Sequence, residues 1–288
     1  MALKRQQNIF KSELNDIVRG ACGGFLFGIP LLYTMEVWWV GSLVKAQLMM
    51  SAIALMFVVV FLLNKTEGFR KLQRRQRPYE VITDTIEAIA IGIICSALML
   101  ILLREITIAT SLKEAIGKII FESVPFTFGV ALANQFLGES NNNQESSHNN
   151  HQKPSNLNAT FADLGATLIG ATVIAFNIAP TDEVPMIVAA VSAPWLLAII
   201  AASLVISYAI VFQAGFSDQQ KRKQQKGIFQ RPLSETVISY LVSLIASAFM
   251  LWFFHKLSFS NPWSMWLENT LILGLPATIG GAAGRLAI

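Results

Sequence analysis

Residues 47–64 read QLMMSAIALMFVVVFLLN, eighteen positions without one charged side chain. The hydrocarbon core of a bilayer is about 30 Å thick and takes roughly 20 helical residues to cross. Runs of this size recur along the chain, separated by clumps of charge, and they fix the class of fold before any motif is considered. In lipid every backbone N–H and C=O must be satisfied internally, which leaves helices or closed barrels. A transmembrane barrel would show short segments of alternating hydrophobicity, and the sequence has none. Composition agrees, with 53% hydrophobic and 14% charged residues and a mean hydropathy of +0.52, against about 25% charged in ordinary globular domains. The reading is an all-α, polytopic membrane protein.

Eight transmembrane helices are predicted, at about 18–38, 47–64, 82–103, 116–137, 159–180, 185–213, 234–254 and 267–287. The first begins late, carries Glu36 and has no small-residue cleavage site, so it reads as a retained helix rather than a signal peptide. Lys4, Arg5, Lys11 and Arg19 precede or open it. The loop 64–78 (NKTEGFRKLQRRQRP) holds six basic residues and 217–232 (SDQQKRKQQKGIFQRP) holds five. With Lys153 and Arg285, seventeen of the 22 Lys and Arg residues then lie on one side, leaving Lys45, Arg104, Lys113, Lys118 and Lys256 for the other. By the positive-inside rule both termini face the cytoplasm, and Trp38, Trp39, Trp263 and Trp266 fall at the outer boundary as aromatic anchors. The sequence pI near 9.1 is therefore a topology signal and not a nucleic-acid signal. Cys22 and Cys95 both fall inside spans, where thiols serve as small apolar packing groups.

Sliding the chain against itself exposes a duplication. A shift of 147 aligns 16–75 with 163–222 without a gap, fourteen of sixty positions being identical, among them Asp16/Asp163, Gly23/Gly170, Thr34/Thr181, Glu36/Glu183 and Gly68/Gly215. A shift of 151 aligns 84–137 with 235–288 and matches Pro125, Thr127 and Gly129 to Pro276, Thr278 and Gly280. Two parallel four-helix repeats are expected, at 1–137 and 159–288, related by an axis along the membrane normal. Between them 138–158, rich in Asn and Ser, cannot bury apolar surface and reads as a disordered cytoplasmic linker. Its His148 and His151 read as solvated side chains rather than a metal site, and Asn158-Ala-Thr160, a glycosylation sequon, faces the wrong side.

Small residues recur at four-residue spacing, Gly24/Gly28 and Ala171/Ala175, Gly129/Ala133 and Gly280/Gly284. Such faces let helices approach closely in lipid, so spans 1, 4, 5 and 8 should form the tight centre. The same spans carry breaks, at Gly28 and Pro30, Pro125, Pro276, and Asn177 to Pro180. Interrupted helices at matching positions of two halves point to a transport site.

Ionisable residues in or beside lipid are costly and mark function by default. Glu36 and Glu183 sit at equivalent outer positions, with Asp182 adding to the acidity, and read either as a cation-concentrating mouth or as a solvated symmetric rim. Asp16/Asp163 and Asp84/Glu235 open spans 1/5 and 3/7, where a carboxylate complements the helix dipole. Glu87 lies one turn beyond Asp84 on the face shared with Glu80. Glu122, two turns into span 4 and just before Pro125, reads as an ion pair with Lys118 or as a protonatable coupling site. Asn134, Gln135 and Arg285 close the cytoplasmic ends of spans 4 and 8, where Arg285 snorkels or meets a carboxylate. Nucleophile elbow, HExxH, CxxC and P-loop motifs are missing, so no catalytic residues, metal ligands or cofactor are assigned.

The stretches GFLFGIPLLYTMEVWW (24–39), RRQRPYEVITDTIEA (74–88) and ESVPFTFGVALANQ (122–135) resemble an uncharacterised bacterial family of integral membrane proteins, a domain of unknown function. The resemblance covers most of the chain outside the linker. It implies the bacterial plasma (inner) membrane and no activity.

Together these features lead to the expectation of a non-enzymatic transporter or channel for a small cation or solute. Its pathway would run between the repeats, with Glu36, Glu183, Glu122, Asp182 and Glu87 as the candidate binding residues. The alternative is a non-catalytic scaffold or assembly factor docking through its basic cytoplasmic loops; a membrane enzyme ranks third. The partners expected are the lipid bilayer and a small cation or solute, without nucleic acid, and a homo-oligomer is left open.

Overall fold

A computed structural model describes residues 2–67, 78–138, 156–213 and 232–287. The linker core and most of both basic loops lie outside those residues. Ten α-helices are described: α1 (Ala2–Leu32), α2 (Met35–Leu43), α3 (Ala46–Glu67), α4 (Pro78–Leu102), α5 (Leu112–Gly138), α6 (Asn156–Ile178), α7 (Glu183–Ala190), α8 (Ala193–Tyr208), α9 (Pro232–Phe253) and α10 (Trp263–Leu286). A π-helical turn, Ala209–Gln213, continues α8. The fold is all-helical.

Six of these helices are long and apolar enough to cross a membrane, at Ala46–Lys65, Tyr79–Leu102, Leu112–Ala133, Phe161–Ile178, Ala193–Phe212 and Pro232–Phe253; a bent pair, Glu13–Leu32 with Met35–Leu43, makes a seventh. The helix at the predicted eighth position, α10, is not apolar enough on its own. The reason is its place: residues 271–282 are all buried against other helices, so Gly, Ala and Thr serve there where a lipid-facing helix needs Leu and Ile. By contrast α3 leaves Leu48, Met50, Leu55, Val58 and Leu62 exposed, an apolar face of the kind that belongs in hydrocarbon.

The breaks expected at Pro125 and Pro276 are not there, because α5 and α10 each run unbroken through their proline; two other predicted spans do divide, the first close to the expected break at Gly28 and Pro30. The first ends at Leu32, and α2 departs at 91°. Pro30 removes one donor from the last turn of α1; the Leu32 carbonyl, left open where the helix ends, accepts a 2.8 Å bond from the Trp38 indole nitrogen. Trp38 is therefore 1% exposed and closes a helix end; it is not the lipid-facing anchor the sequence suggested. Trp39 and Trp263, at 56% and 80%, do face outward. The span placed at 185–213 likewise divides at 191–192 into α7 and α8, with Pro194 in the first turn of α8.

The helices fall into two compact units. In the first, α5 packs on α1, α2 and α3, and α4 reaches it where Gly92 meets Thr127. In the second, α10 packs on α6, α7, α8 and α9. The closest approaches need glycine. A Cβ on Gly23 of α1 would lie 2.4 Å from the Gly129 carbonyl oxygen, and one on Gly170 of α6 would lie 2.1 Å from that of Gly280. These are matching positions under the shifts of 147 and 151. Neither contact leaves room for a methyl group, so small residues set each crossing. Gly24 and Gly28 pack on Phe126, and Gly284 on the Ala166 carbonyl.

Element borders follow the same offsets. Ala46 and Ala193 open α3 and α8, Leu102 and Phe253 close α4 and α9, and Leu112 and Trp263 open α5 and α10. After α4 and after α9 the chain turns through a residue with positive φ, Arg104 at 65° and His255 at 59°, again 151 residues apart. A left-handed non-glycine residue is uncommon, and its recurrence at matched positions says that both turns have one geometry.

Candidate functional site

Glu122 stands ten residues into α5, about 15 Å along the axis at 1.5 Å per residue, and is 1% exposed. Its face is set by helical period: Phe126 and Gly129, four and seven residues on, are the groups that α1 packs against through Gly28 and Gly23. Ile29, Leu32 and Phe126 around this seam are fully buried. Beside it Ser123 donates to the Ile120 carbonyl at 2.8 Å. Lys118, the partner suggested by sequence spacing, has its ammonium 3.2 Å from the Glu114 carboxylate.

The other expected acids separate. Glu36 opens α2 and is exposed, whereas its sequence equivalent Glu183 opens α7 and is buried at 6%. Asp182 is exposed and holds the Lys256 ammonium at 2.8 Å. Glu87 is half-buried on α4 and Glu80 exposed, but Asp84 between them is 3% exposed. Within the first unit the sites are thus one exposed, one half-buried and one buried carboxylate on three different helices; in the second unit Asp182 and Glu183 are chain neighbours that differ in burial.

Buried polar groups also occur beyond the five candidate binding residues. Asn64 of α3 donates to the Thr85 hydroxyl of α4 at 3.2 Å, and Thr85 in turn to the Val81 carbonyl at 2.7 Å. In the second unit Glu235, Ser239, Ser243 and Ser247 run down one face of α9 at four-residue intervals, all buried. Ser243 and Ser247 each donate to the carbonyl four residues back at 2.9 Å, the usual way a membrane helix satisfies a hydroxyl. Thr167 of α6 and Ser243 meet over Gly281 of α10. Arg285 is fully buried and pairs with Glu235, which settles its partner: it meets a carboxylate and does not snorkel. The pairing across 50 residues was not legible in the sequence.

In the first unit Gly92 of α4 lies against Thr127 of α5; in the second, Ser243 stands at the position of Gly92 and lies against Gly281 of α10, whose own match in α5 is Val130.

The contacts of Lys118 with Glu114, Lys256 with Asp182 and Arg285 with Glu235 pair opposite charges. Among the described residues no three His, Cys, Asp or Glu side chains gather as metal ligands. Apolar helices of spanning length and ionisable groups held in their interior define an integral membrane protein with several membrane helices. Residues 16–288 match the family model described as "Putative integral membrane protein (DUF2391)", and the chain belongs to that family. No curated protein and no solved structure matches it.

Proposed function

We propose that the protein is a transporter or channel for a small cation, with no covalent catalysis. The observation that carries this reading is Glu122, a carboxylate 1% exposed at half depth in a helix of spanning length. A charged group at the bilayer centre costs upward of about 2.5 kcal/mol, so such residues are found where an ion or proton passes. Pro125, three residues on, removes one backbone donor close to Glu122 within an α5 that runs unbroken from Leu112 to Gly138.

The finer architecture belongs to the same proposal. Eight crossings, four in each duplicated half, are supported by the matched element borders and the matched left-handed turns, with α2 and α7 as short non-crossing helices. The charge distribution supports termini on the cytoplasmic side of a bacterial inner membrane. Glu36 and Glu183, one at the start of each short helix, are each read as an acidic entry of their own unit that attracts cations.

The test is purified protein in liposomes, measured for proton and metal-cation flux. The expected result is flux above empty vesicles, lowered at least several-fold by the combined Glu36→Gln and Glu183→Gln changes. Unchanged flux in that double variant removes the acidic entry, and flux no greater than in empty vesicles removes the transport reading.

A further inference from the structure

Leu241, Ile245, Phe249 and Phe253 of α9 follow one another at four-residue steps and so share one helix face, and all four are exposed. They form an apolar ridge about 18 Å long at 1.5 Å per residue. One leaflet's share of a hydrocarbon core about 30 Å thick is about 15 Å, so the ridge matches the depth that a single acyl chain occupies. It stops at Phe253, the last residue of a helix of spanning length.

At that end lies a pocket of about 400 Å³ lined by Trp252, Phe253, His255, Leu257, Ser258 and Phe259, a size typical of small-ligand sites. Its rings continue the ridge. Phe249 stands 5.7 Å from Trp252 and 6.2 Å from Phe253 between centroids; Trp252 is 6.2 Å from Phe259, which stacks on Trp266 at 6.1 Å. All are favourable pairing distances. Hydrogen bonds hold the loop side in shape: the Trp266 indole nitrogen donates to the Ser258 carbonyl at 3.1 Å, and the Ser258 amide to Asn261 Oδ1 at 2.6 Å. His255 and Ser258, both exposed, give this otherwise apolar lining its polar groups.

The turn after α4 shows that neither the fold nor plain lipid contact calls for these rings. Under the shift of 151, Phe249, Trp252, Phe253, Phe259 and Trp266 correspond to Leu98, Ile101, Leu102, Ile108 and Ala115. Leu98, Ile101 and Ile108 are exposed, as Phe249, Trp252 and Phe259 are, and both turns pass through one left-handed residue. Aliphatic side chains thus suffice at the same positions of the same kind of turn. Aromatic residues at all five, around one pocket, point to a ligand with an apolar body and a polar end.

We infer that the pocket and the ridge bind one phospholipid. An acyl chain lies along Leu241, Ile245, Phe249 and Phe253, the rings of Trp252 and Phe259 flank the glycerol backbone, and the phosphate accepts a hydrogen bond from the His255 imidazole with Ser258 beside it. The inference needs a helix in lipid and does not rest on the transport reading.

The test titrates the full chain, purified in detergent, with dioleoylphosphatidylglycerol and reads bound lipid by native mass spectrometry. Trp252→Ile with Phe259→Ile installs the residues found at the matching positions, Ile101 and Ile108, and is expected to bind the first lipid at least tenfold more weakly than wild type. Leu98→Ala with Ile108→Ala, which trims exposed side chains at the other turn, should bind as wild type does. His255→Asn leaves every ring in place and keeps a residue that tolerates the left-handed turn; it should bind this lipid several-fold more weakly. Dioleoylglycerol, which has no phosphate, should bind wild type equally weakly. Wild-type affinity in the ring variant overturns the site, and so does an equal loss in the Leu98 and Ile108 variant, which marks a non-specific lipid coat. Full affinity in His255→Asn, or equal binding of the two lipids by wild type, overturns the phosphate contact and with it the phospholipid assignment.

Discussion

Gly170→Leu is expected to abolish the packed second unit, and Gly165→Leu, five residues earlier on the same helix, to leave it intact. A Cβ at 170 would stand 2.1 Å from the Gly280 carbonyl oxygen and 3.1 Å from the Gly284 amide nitrogen. Both are backbone atoms in the middle of α10, so no rotamer change relieves the overlap, and the helices must part. Parting them exposes the Ala171 and Ala175 face, both fully buried, and undoes the contact that orders α10. Overpacking a tight core costs about 1–3 kcal/mol; a backbone obstruction belongs at or above that limit. A 3 kcal/mol loss lowers Tm by roughly 6–12 °C in a domain of 150–250 residues. Gly165 has nothing within 4 Å of its would-be Cβ, and leucine is a better helix former than glycine by nearly 1 kcal/mol. Thermal unfolding in detergent with size-exclusion chromatography reads both. Equal losses from the two variants would contradict the crossing described for α6 and α10. In the first unit Gly23 should behave as Gly170 does, since its Cβ would meet the Gly129 oxygen at 2.4 Å and Ala133 Cβ at 2.6 Å.

The second large effect concerns charge. Arg285→Ala leaves the Glu235 carboxylate, 8% exposed, without the guanidinium that balances it. Breaking a buried pair from one side costs about 3–5 kcal/mol. Replacing both partners, Arg285→Met with Glu235→Leu, removes two desolvated charges together and is expected to be neutral or stabilising by the same reasoning. The order single below wild type, and double at or above it, is the outcome to look for in thermal unfolding. A double variant as unstable as the single one would mean that the pair fastens the helices through the polar contacts to Ser239 and not through charge balance.

How much of this was written in the sequence varies with the range of the interaction. Membrane class, helix positions and small-residue stripes are local patterns, and they were legible. The stripe of Gly129 and Ala133 could be read because its spacing follows the helix period; Gly23, which packs on both, stands one residue before the Gly24 and Gly28 pair that the spacing picked out. A break near Gly28 and Pro30 was legible from those residues, but its 91° angle was not, because hydropathy averages over backbone direction; residues 18–38 are apolar on both sides of it. Trp38 was misread for a related reason. An indole beside a chain of apolar residues suits a membrane interface, but here its N–H serves a carbonyl six residues back.

The acids show the same division. Glu122 stood out from composition alone, a single carboxylate deep in an apolar run. That Glu36 is exposed while Glu183 is buried could not be inferred from their equivalence, since burial depends on how α2 and α7 lie in their own units. The pairing of Glu235 with Arg285 joins residues 50 positions apart and needs the antiparallel register of α9 and α10. That register follows from glycine contacts that no local window contains.

The most direct measurement of the central claim is cation uptake into liposomes by wild-type protein and by Glu122→Gln. Glutamine keeps the shape and removes the charge, so packing around α5 is retained and only the ionisable group is lost. The account predicts uptake at least tenfold lower in Glu122→Gln with its thermal unfolding unchanged. Full uptake in that variant would contradict it.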